Sequence, residues 1–210
     1  MKIAKNDRVV MIGDSVTDCG RVYPIGEDHQ LGNGYVALFS AMLDSRHPEL
    51  AARVTNMGIN GHTVRDLKAR WQTDVLDLSP DWVTIMIGIN DVWRQFDHPK
   101  QKETHVLPDE YERTLEELVR ATLPHVKGIV LLPPTYMNTN ATDAMRMRRD
   151  EYAQIVRNIA QRTGCMLADA QGEFDRVYSV IHPIAANPDY VHPDFTGHLM
   201  IAEEIYRTLE

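Results

Sequence analysis

A chain of 210 residues, 43% hydrophobic and 25% charged, is long enough to bury a sizeable core without metals or staples, and it is expected to form one domain over 1–210. Its net charge of −8 excludes nucleic acid as an expected partner, because neutralising a phosphate backbone takes clustered Lys and Arg. No apolar run approaches the ~20 residues of a membrane span, and the opening MKIAKNDRVV has neither an apolar signal region nor a small-residue cleavage site, so a cytoplasmic protein with no membrane partner is expected. Two cysteines, Cys19 and Cys165, lack zinc-ligand spacing. A reducing compartment argues against a disulfide between them, and both are expected to fill core space.

Along the chain, Val9 to Ile12, with Arg8 before them, read as a short buried strand that runs into Gly13-Asp14-Ser15. Read alone, Asp14 and Ser15 cap the next helix. After Gly34, YVALFSAMLDSRHPEL spaces its apolar residues at three and four, as a helix burying one face does. Arg53 to Met57 is a second strand, punctuated by Gly58, a plain turn glycine, and Gly61, before an amphipathic helix over Thr63 to Leu78. Ser79-Pro80-Asp81 is a turn, and Trp82 to Gly88 is the most continuous apolar strand, which predicts a central place covered on both faces. Trp93 to Pro108 reads as a long polar segment leading to a helix from Asp109 through Leu123. Gly128 to Leu132 is a fourth strand, a charged helix ends near Thr163 at Gly164, and Cys165 to Ala168 is a short fifth strand. A short helix to Val180, a Pro-studded loop from His182 to Pro193 and a last helix begun near Asp194 or Thr196 complete the chain.

Strands joined by helices call for parallel pairing with right-handed crossovers. The expected fold is α/β: a three-layer α/β/α sandwich on a five-stranded parallel sheet, flavodoxin-like in order. In such a sheet the first three strands open on one edge, where loops held by a rigid scaffold carry chemistry. Ser15, Gly61 and Asn90 are therefore expected neighbours.

Four blocks in chain order, Gly13-Asp14-Ser15, Asn56 to Gly61, Gly88-Ile89-Asn90-Asp91 and Asp189-Tyr190-Val191-His192, resemble those of the SGNH hydrolase superfamily, also called GDSL esterases. Val16 stands where the family name has leucine. Within the family, IGDSVTDCGR, GHTVRDLKARW, DWVTIMIGINDVWRQF and VHPDFTGH look like stretches of the intracellular acetyl xylan esterases, which deacetylate xylo-oligosaccharides. The resemblance implies a serine esterase with no cofactor, whose oxyanion donors are the Ser15 and Gly61 N–H groups and the Asn90 side-chain amide. The residues carry a logic of their own beside it. A serine hydroxyl is a poor nucleophile without a base, and histidine serves well only when a third group fixes its tautomer. Between Pro188 and Pro193, a stiff turn can fold Asp189 onto His192, which makes Ser15, Asp189 and His192 the catalytic candidates. Asp14 and Asp91 are expected to brace these loops rather than act as acids or bases.

Two other classes compete. A flavodoxin-like nucleotide or flavin binder is disfavoured because the first loop lacks GxGxxG or P-loop glycines, and a non-catalytic binding protein is disfavoured by the intact Ser, His and Asp. Among esterases the runner-up is a lysophospholipase or short-chain acyl (thio)esterase, against which stands the charged stretch after Asp91. Trp93 and Arg94 leave the active edge and are candidates to touch substrate, or to pack on a second subunit of a homo-oligomer whose Trp93 to Pro108 segment walls the cleft. His198 has no zinc-like spacing, so packing or capping is expected and no metal. His29, His47, His98, His105 and His125 are expected in solvent, whereas His62 and His182 lie near the expected site.

Overall fold

The computed structural model describes residues 1–210. The strands are β1 (Arg8–Gly13), β2 (Gly26–Glu27), β3 (Arg53–Gly58), β4 (Trp82–Met86), β5 (Gly128–Leu132) and β6 (Met166–Leu167), in the sheet order β2-β3-β1-β4-β5-β6. All neighbours run parallel except β2, which pairs antiparallel with β3. Without β2 the order is the flavodoxin-like one. Helices α1 (Ser15–Asp18), α2 (Tyr35–Arg46), α3 (Val64–Asp74), α4 (Ile89–Asp97), α5 (Pro108–Thr122), α6 (Ala144–Thr163), α7 (Gln171–Tyr178) and α8 (Phe195–Leu209) fill the connections.

Alternation along the buried strands divides the apolar side chains between two layers. Val10, Ile12, Val83, Ile85, Ile129 and Leu131 face α3, α5 and α6. Val9, Met11, Val54, Val130 and Leu132 face α2 and α8. Each such side chain, taken wholly out of water, contributes about 1.5–3 kcal/mol, so both faces of the sheet are held against the helix layers. Its register sets Gly13 opposite both Gly58 and Met86. The ends of β1, β3 and β4 are thus level, and the loops that follow them share one edge.

Three expectations need correction. The sheet has six strands, not five. Strand β2 is too short for an alternating pattern to show, and it is held at the edge by pairing with Thr55 and Asn56 and by the Thr55 hydroxyl, which donates to Glu27 at 2.9 Å. The polar segment after Asp91 is also not irregular throughout, because α4 runs from Ile89 to Asp97. It buries Asn90 and Asp91 beside Ile89 and Val92, and Ile89, Val92, Trp93 and Phe96 stand at helical spacing, a stripe that begins before Asp91 and is lost when the segment is read from Trp93 onward. The expected helix to Leu78 ends at Asp74 and gives way to a 3-10 turn over Leu76–Leu78. No helix is long and apolar enough to cross a membrane.

Candidate active site

Ser15 opens α1 two residues beyond the end of β1. Asp14 caps this short helix by accepting the Val16 N–H at 3.0 Å, and Cys19 ends it in the left-handed region at φ 39°. The turn lies hard against the sheet. A Cβ on Gly13 would stand 2.1 Å from Thr17 Oγ1, and one on Gly58 would stand 2.1 Å from the Asp18 nitrogen. Gly58 is therefore no plain turn glycine; it belongs to β3 and lets the serine turn approach. Asn56, wholly buried, donates from Nδ2 to the carbonyls of Thr17 and Leu31, both at 2.8 Å, and accepts the Gly58 N–H at 2.9 Å. No role for Asn56 is expected from its residue type and position alone. Its signal was an asparagine in a buried strand, which must find partners.

The third component comes from the far end of the chain. His192 Nε2 is 2.8 Å from Ser15 Oγ, and His192 Nδ1 is 2.7 Å from Asp189 Oδ2. Tyr190, at φ 60°, makes the left-handed bend that folds the carboxylate back onto the ring. Asp189 Oδ1 accepts the backbone N–H groups of Val191 at 2.8 Å and His192 at 3.0 Å. Burial pushes the Asp189 carboxyl up, but the His192 ring and these two N–H groups together bring it below the ordinary carboxylate range. An ionised Asp189 that accepts Nδ1–H leaves the lone pair on Nε2, facing the serine hydroxyl. Such an arrangement can draw a proton from Ser15 as its oxygen attacks.

Gly61 and Asn90 meet at the same edge. The Ile59 N–H donates to the Gly13 carbonyl at 3.1 Å, tying the Gly61 loop to β1. Asn90, 2% exposed, donates from Nδ2 to the His62 carbonyl at 3.0 Å, which leaves its second N–H free. Gly61 has φ +77°, and nothing lies within 4 Å of where a Cβ would be, so that face opens on space. On α4, Asn90, Trp93, Arg94 and Asp97 follow at helical spacing and share a face. Trp93 sets its ring edgewise to His192 with centroids 5.9 Å apart, and the Arg94 guanidinium lies 5.5 Å from the Trp93 ring centre. Arg94 pairs with Asp97, and its Nη2 is 3.4 Å from Asn90 Oδ1.

Asp14 and Asp91 are both buried beneath these loops. Asp91 Oδ1 accepts the Val64 N–H at 3.0 Å at the start of α3, while its Oδ2 has no partner. Burial pushes Asp91 up to about 7 against the pull of that N–H, and the neighbouring Asp14 adds to the rise. Asp14 is likewise pushed by burial up to about 7, against the Val16 N–H and the charges of His192 and Arg70. A carboxyl that ionises near 3.8 when unfolded and near 7 when folded keeps its full stability below pH 3.8 and loses it as pH rises through 7. For Asp91 the span corresponds to a few kcal/mol, on the order of 4. Asp91→Asn keeps the acceptor for Val64 and removes the titration, so between pH 5 and 8 the variant should gain stability over the parent in chemical denaturation. Parallel stability curves would show that Asp91 does not hold a proton in the native state.

The remaining histidines have structural surroundings. His198, 4% exposed, accepts the Tyr35 N–H on Nδ1 at 3.2 Å and faces Cys19 Sγ from Nε2 at 3.4 Å. Burial lowers it to about 4, so it packs as a neutral ring. Cys19 and Cys165 are free thiols and half-buried, not core residues. His62 accepts the Arg70 Nε–H on Nδ1 at 3.1 Å; burial and the Arg70 charge hold it below the ordinary histidine range. His182 is exposed and caps its own turn, at 3.2 Å from the Ile184 nitrogen. His47 is half-buried instead of solvated, 2.8 Å from the Tyr206 hydroxyl. Arg70 and Arg21 escaped sequence reasoning. Arg21, 4% exposed, donates from Nε to the Gly58 carbonyl at 2.6 Å.

A parallel α/β sheet with a serine at the end of its first strand and an Asp-x-x-His turn in its last loop defines a class of serine hydrolases. Residues 11–199 match the GDSL-like Lipase/Acylhydrolase family, and the chain belongs to that family of serine esterases. It is 49% identical over 211 residues to an acetylxylan esterase of Geobacillus stearothermophilus, covering 100% of this chain and 96% of that protein. The crystal structure of that organism's acetylxylan esterase Axe2 superposes with a TM-score of 0.97 at 49% identity, over 100% of this chain and 96% of the other. LAE5, an alpha/beta hydrolase enzyme from the metagenome of Lake Arreo, Spain, is also 49% identical, with a TM-score of 0.96 over 100% and 97% of the two chains.

Proposed function

We propose that this protein hydrolyses O-acetyl esters on xylo-oligosaccharides through a Ser15–His192–Asp189 triad and an acetyl-enzyme. The observation that carries the reading is the placement of His192 between Ser15 Oγ, at 2.8 Å, and Asp189 Oδ2, at 2.7 Å. Ser15 Oγ attacks the acetyl carbonyl while His192 Nε2 takes its proton. The negative oxygen of the tetrahedral intermediate is met by the N–H groups of Ser15 and Gly61 and the Asn90 amide, donors of a kind worth roughly 3 to 4 kcal/mol each. His192 then protonates the departing sugar hydroxyl. A water, deprotonated by the same ring, releases acetate and restores Ser15.

The substrate class rests on the relatives and on the wall beside the triad. The α4 face of Asn90, Trp93, Arg94 and Asp97 suits a hydroxylated ring better than a long acyl chain, and a lysophospholipid would call for an apolar channel there. Rates on aryl esters from acetyl to octanoyl, followed by acetate release from acetylated xylo-oligosaccharides, test it. Acetyl should be strongly preferred and the oligosaccharides deacetylated; preference for octanoyl would favour a lysophospholipase instead.

A cytoplasmic setting and a homo-oligomer complete the reading. The free thiols of Cys19 and Cys165 support the first. For the second, Val180, Ile181, Ile184 and Phe195, before and after the Asp189–His192 turn in sequence, are all more than half exposed, which is apolar surface that a second subunit could cover. Light scattering should return a multiple of the 24.0 kDa chain mass; a monomer at micromolar concentration would refute it.

A further inference from the structure

Arg70 lies on α3, an element that supplies none of the reacting groups, yet its guanidinium reaches the carboxyl edge of the sheet. The side chain is 11% exposed. Nη2 donates to the Gly13 carbonyl at 3.0 Å, Nη1 to the Met57 carbonyl at 2.7 Å, and Nε to His62 Nδ1 at 3.1 Å. Nη1 also meets Asp74 Oδ2 at 2.8 Å, one helical turn along. One planar group is therefore bonded to three segments. Gly13 ends β1 two residues before Ser15, Met57 lies at the end of β3, and His62 follows Gly61 directly. His62 is a junction, since its carbonyl also accepts the Asn90 amide at 3.0 Å.

We infer that Arg70 is the positioning residue of the oxyanion hole: it sets the separation between the Ser15 and Gly61 N–H groups and, through His62, the place of the Asn90 amide. The inference rests on the assignment of those three donors under the proposed function. The physical need is specific. Donors stabilise an oxyanion only when they already stand where the charge develops, and a misplacement of about 1 Å can cost 100-fold in rate. Gly61 has no side chain and an open face, so packing does little to hold it. Its loop is held instead by polar bonds: Ile59 N–H to the Gly13 carbonyl, the His62 carbonyl to Asn90, and the His62 ring to Arg70. The Arg70 charge is already paired with Asp74, so the fork geometry of the guanidinium does the holding. A lysine keeps the charge but offers a single point, unable to span two carbonyls and a ring.

The test is Arg70→Lys on the whole enzyme with an aryl acetate, beside Asn90→Ala. Arg70→Lys should lower kcat about 10- to 100-fold with KM within about twofold. Its affinity for a boronic acid that forms a tetrahedral adduct on Ser15 should weaken in parallel with kcat/KM. A purely structural residue would lower the melting temperature and leave kcat per folded site intact, and that result overturns the inference. If Arg70→Lys does not fold, His62→Ala breaks only the Nε contact and should lower kcat in the same direction by less; an undiminished kcat there overturns it too. Full rate in Asn90→Ala removes the donor assignment and the inference with it. A large loss in Asn90→Ala beside an undiminished Arg70→Lys overturns the Arg70 role alone.

Discussion

Alanine at position 15 is expected to leave a folded protein with almost no esterase activity. The Ser15 hydroxyl has one side-chain partner, His192 Nε2, and the turn that carries it is held by other groups: the Asp14 cap, the Asn56 amide and the close contact with Gly58. Alanine is also a good helix former, so the melting temperature should barely move. The chemistry has no substitute. Removing the nucleophile of a serine hydrolase can cost ~10⁶-fold in kcat, with only the residual catalysis of binding and oxyanion donors remaining. A fluorophosphonate reagent should label the parent at Ser15 alone and leave Ser15→Ala unlabelled. Sustained turnover by a pure Ser15→Ala preparation would sink the mechanism.

Asp189→Asn is expected to have the next largest effect. The asparagine oxygen can keep the Val191 and His192 N–H groups that Asp189 Oδ1 now accepts, so the turn should persist. Its NH2 would then face His192 Nδ1 and donate to it, forcing the ring proton onto Nε2, where it blocks the base. A loss approaching ~10⁴-fold follows from the wrong tautomer. Asp194→Asn is the control. Asp194 Oδ1 caps α8, accepting the Gly197 N–H and the Tyr178 hydroxyl, both at 3.0 Å; asparagine keeps an acceptor there, so its change should cost only the charge at the helix N-terminus, about 0.3–1 kcal/mol, with kcat retained. Steady-state rates and melting curves of the two variants separate the roles; an inactive Asp194→Asn with an active Asp189→Asn would reverse the assignment.

Much of this molecule was legible one residue at a time. Val9–Ile12, Trp82–Met86 and Gly128–Leu132 announce themselves as strands because burial on both faces demands apolar residues at every position, and alternation with helices then dictates parallel pairing. The Asp189–His192 turn was legible for a similar reason: its partners are three residues apart, so local geometry alone can join them. The structure decided what depends on contacts distant in sequence. Strand β2 exists because Thr55 and Asn56 lie beside it. Helix α4 spaces Ile89, Val92, Trp93 and Phe96 as a helix does, but its stripe opens inside the Gly88-Ile89-Asn90-Asp91 block and buries Asn90 and Asp91 under the site, and Gly58 is needed because a turn 40 residues earlier comes to rest on it. The upward push of burial on the Asp91 carboxyl and the reach of Arg70 to Gly13, Met57 and His62 belong to the same kind. Residue type states what a side chain can do, but desolvation and long-range hydrogen bonds are properties of a place, and the place exists only once the sheet has brought its strand ends level.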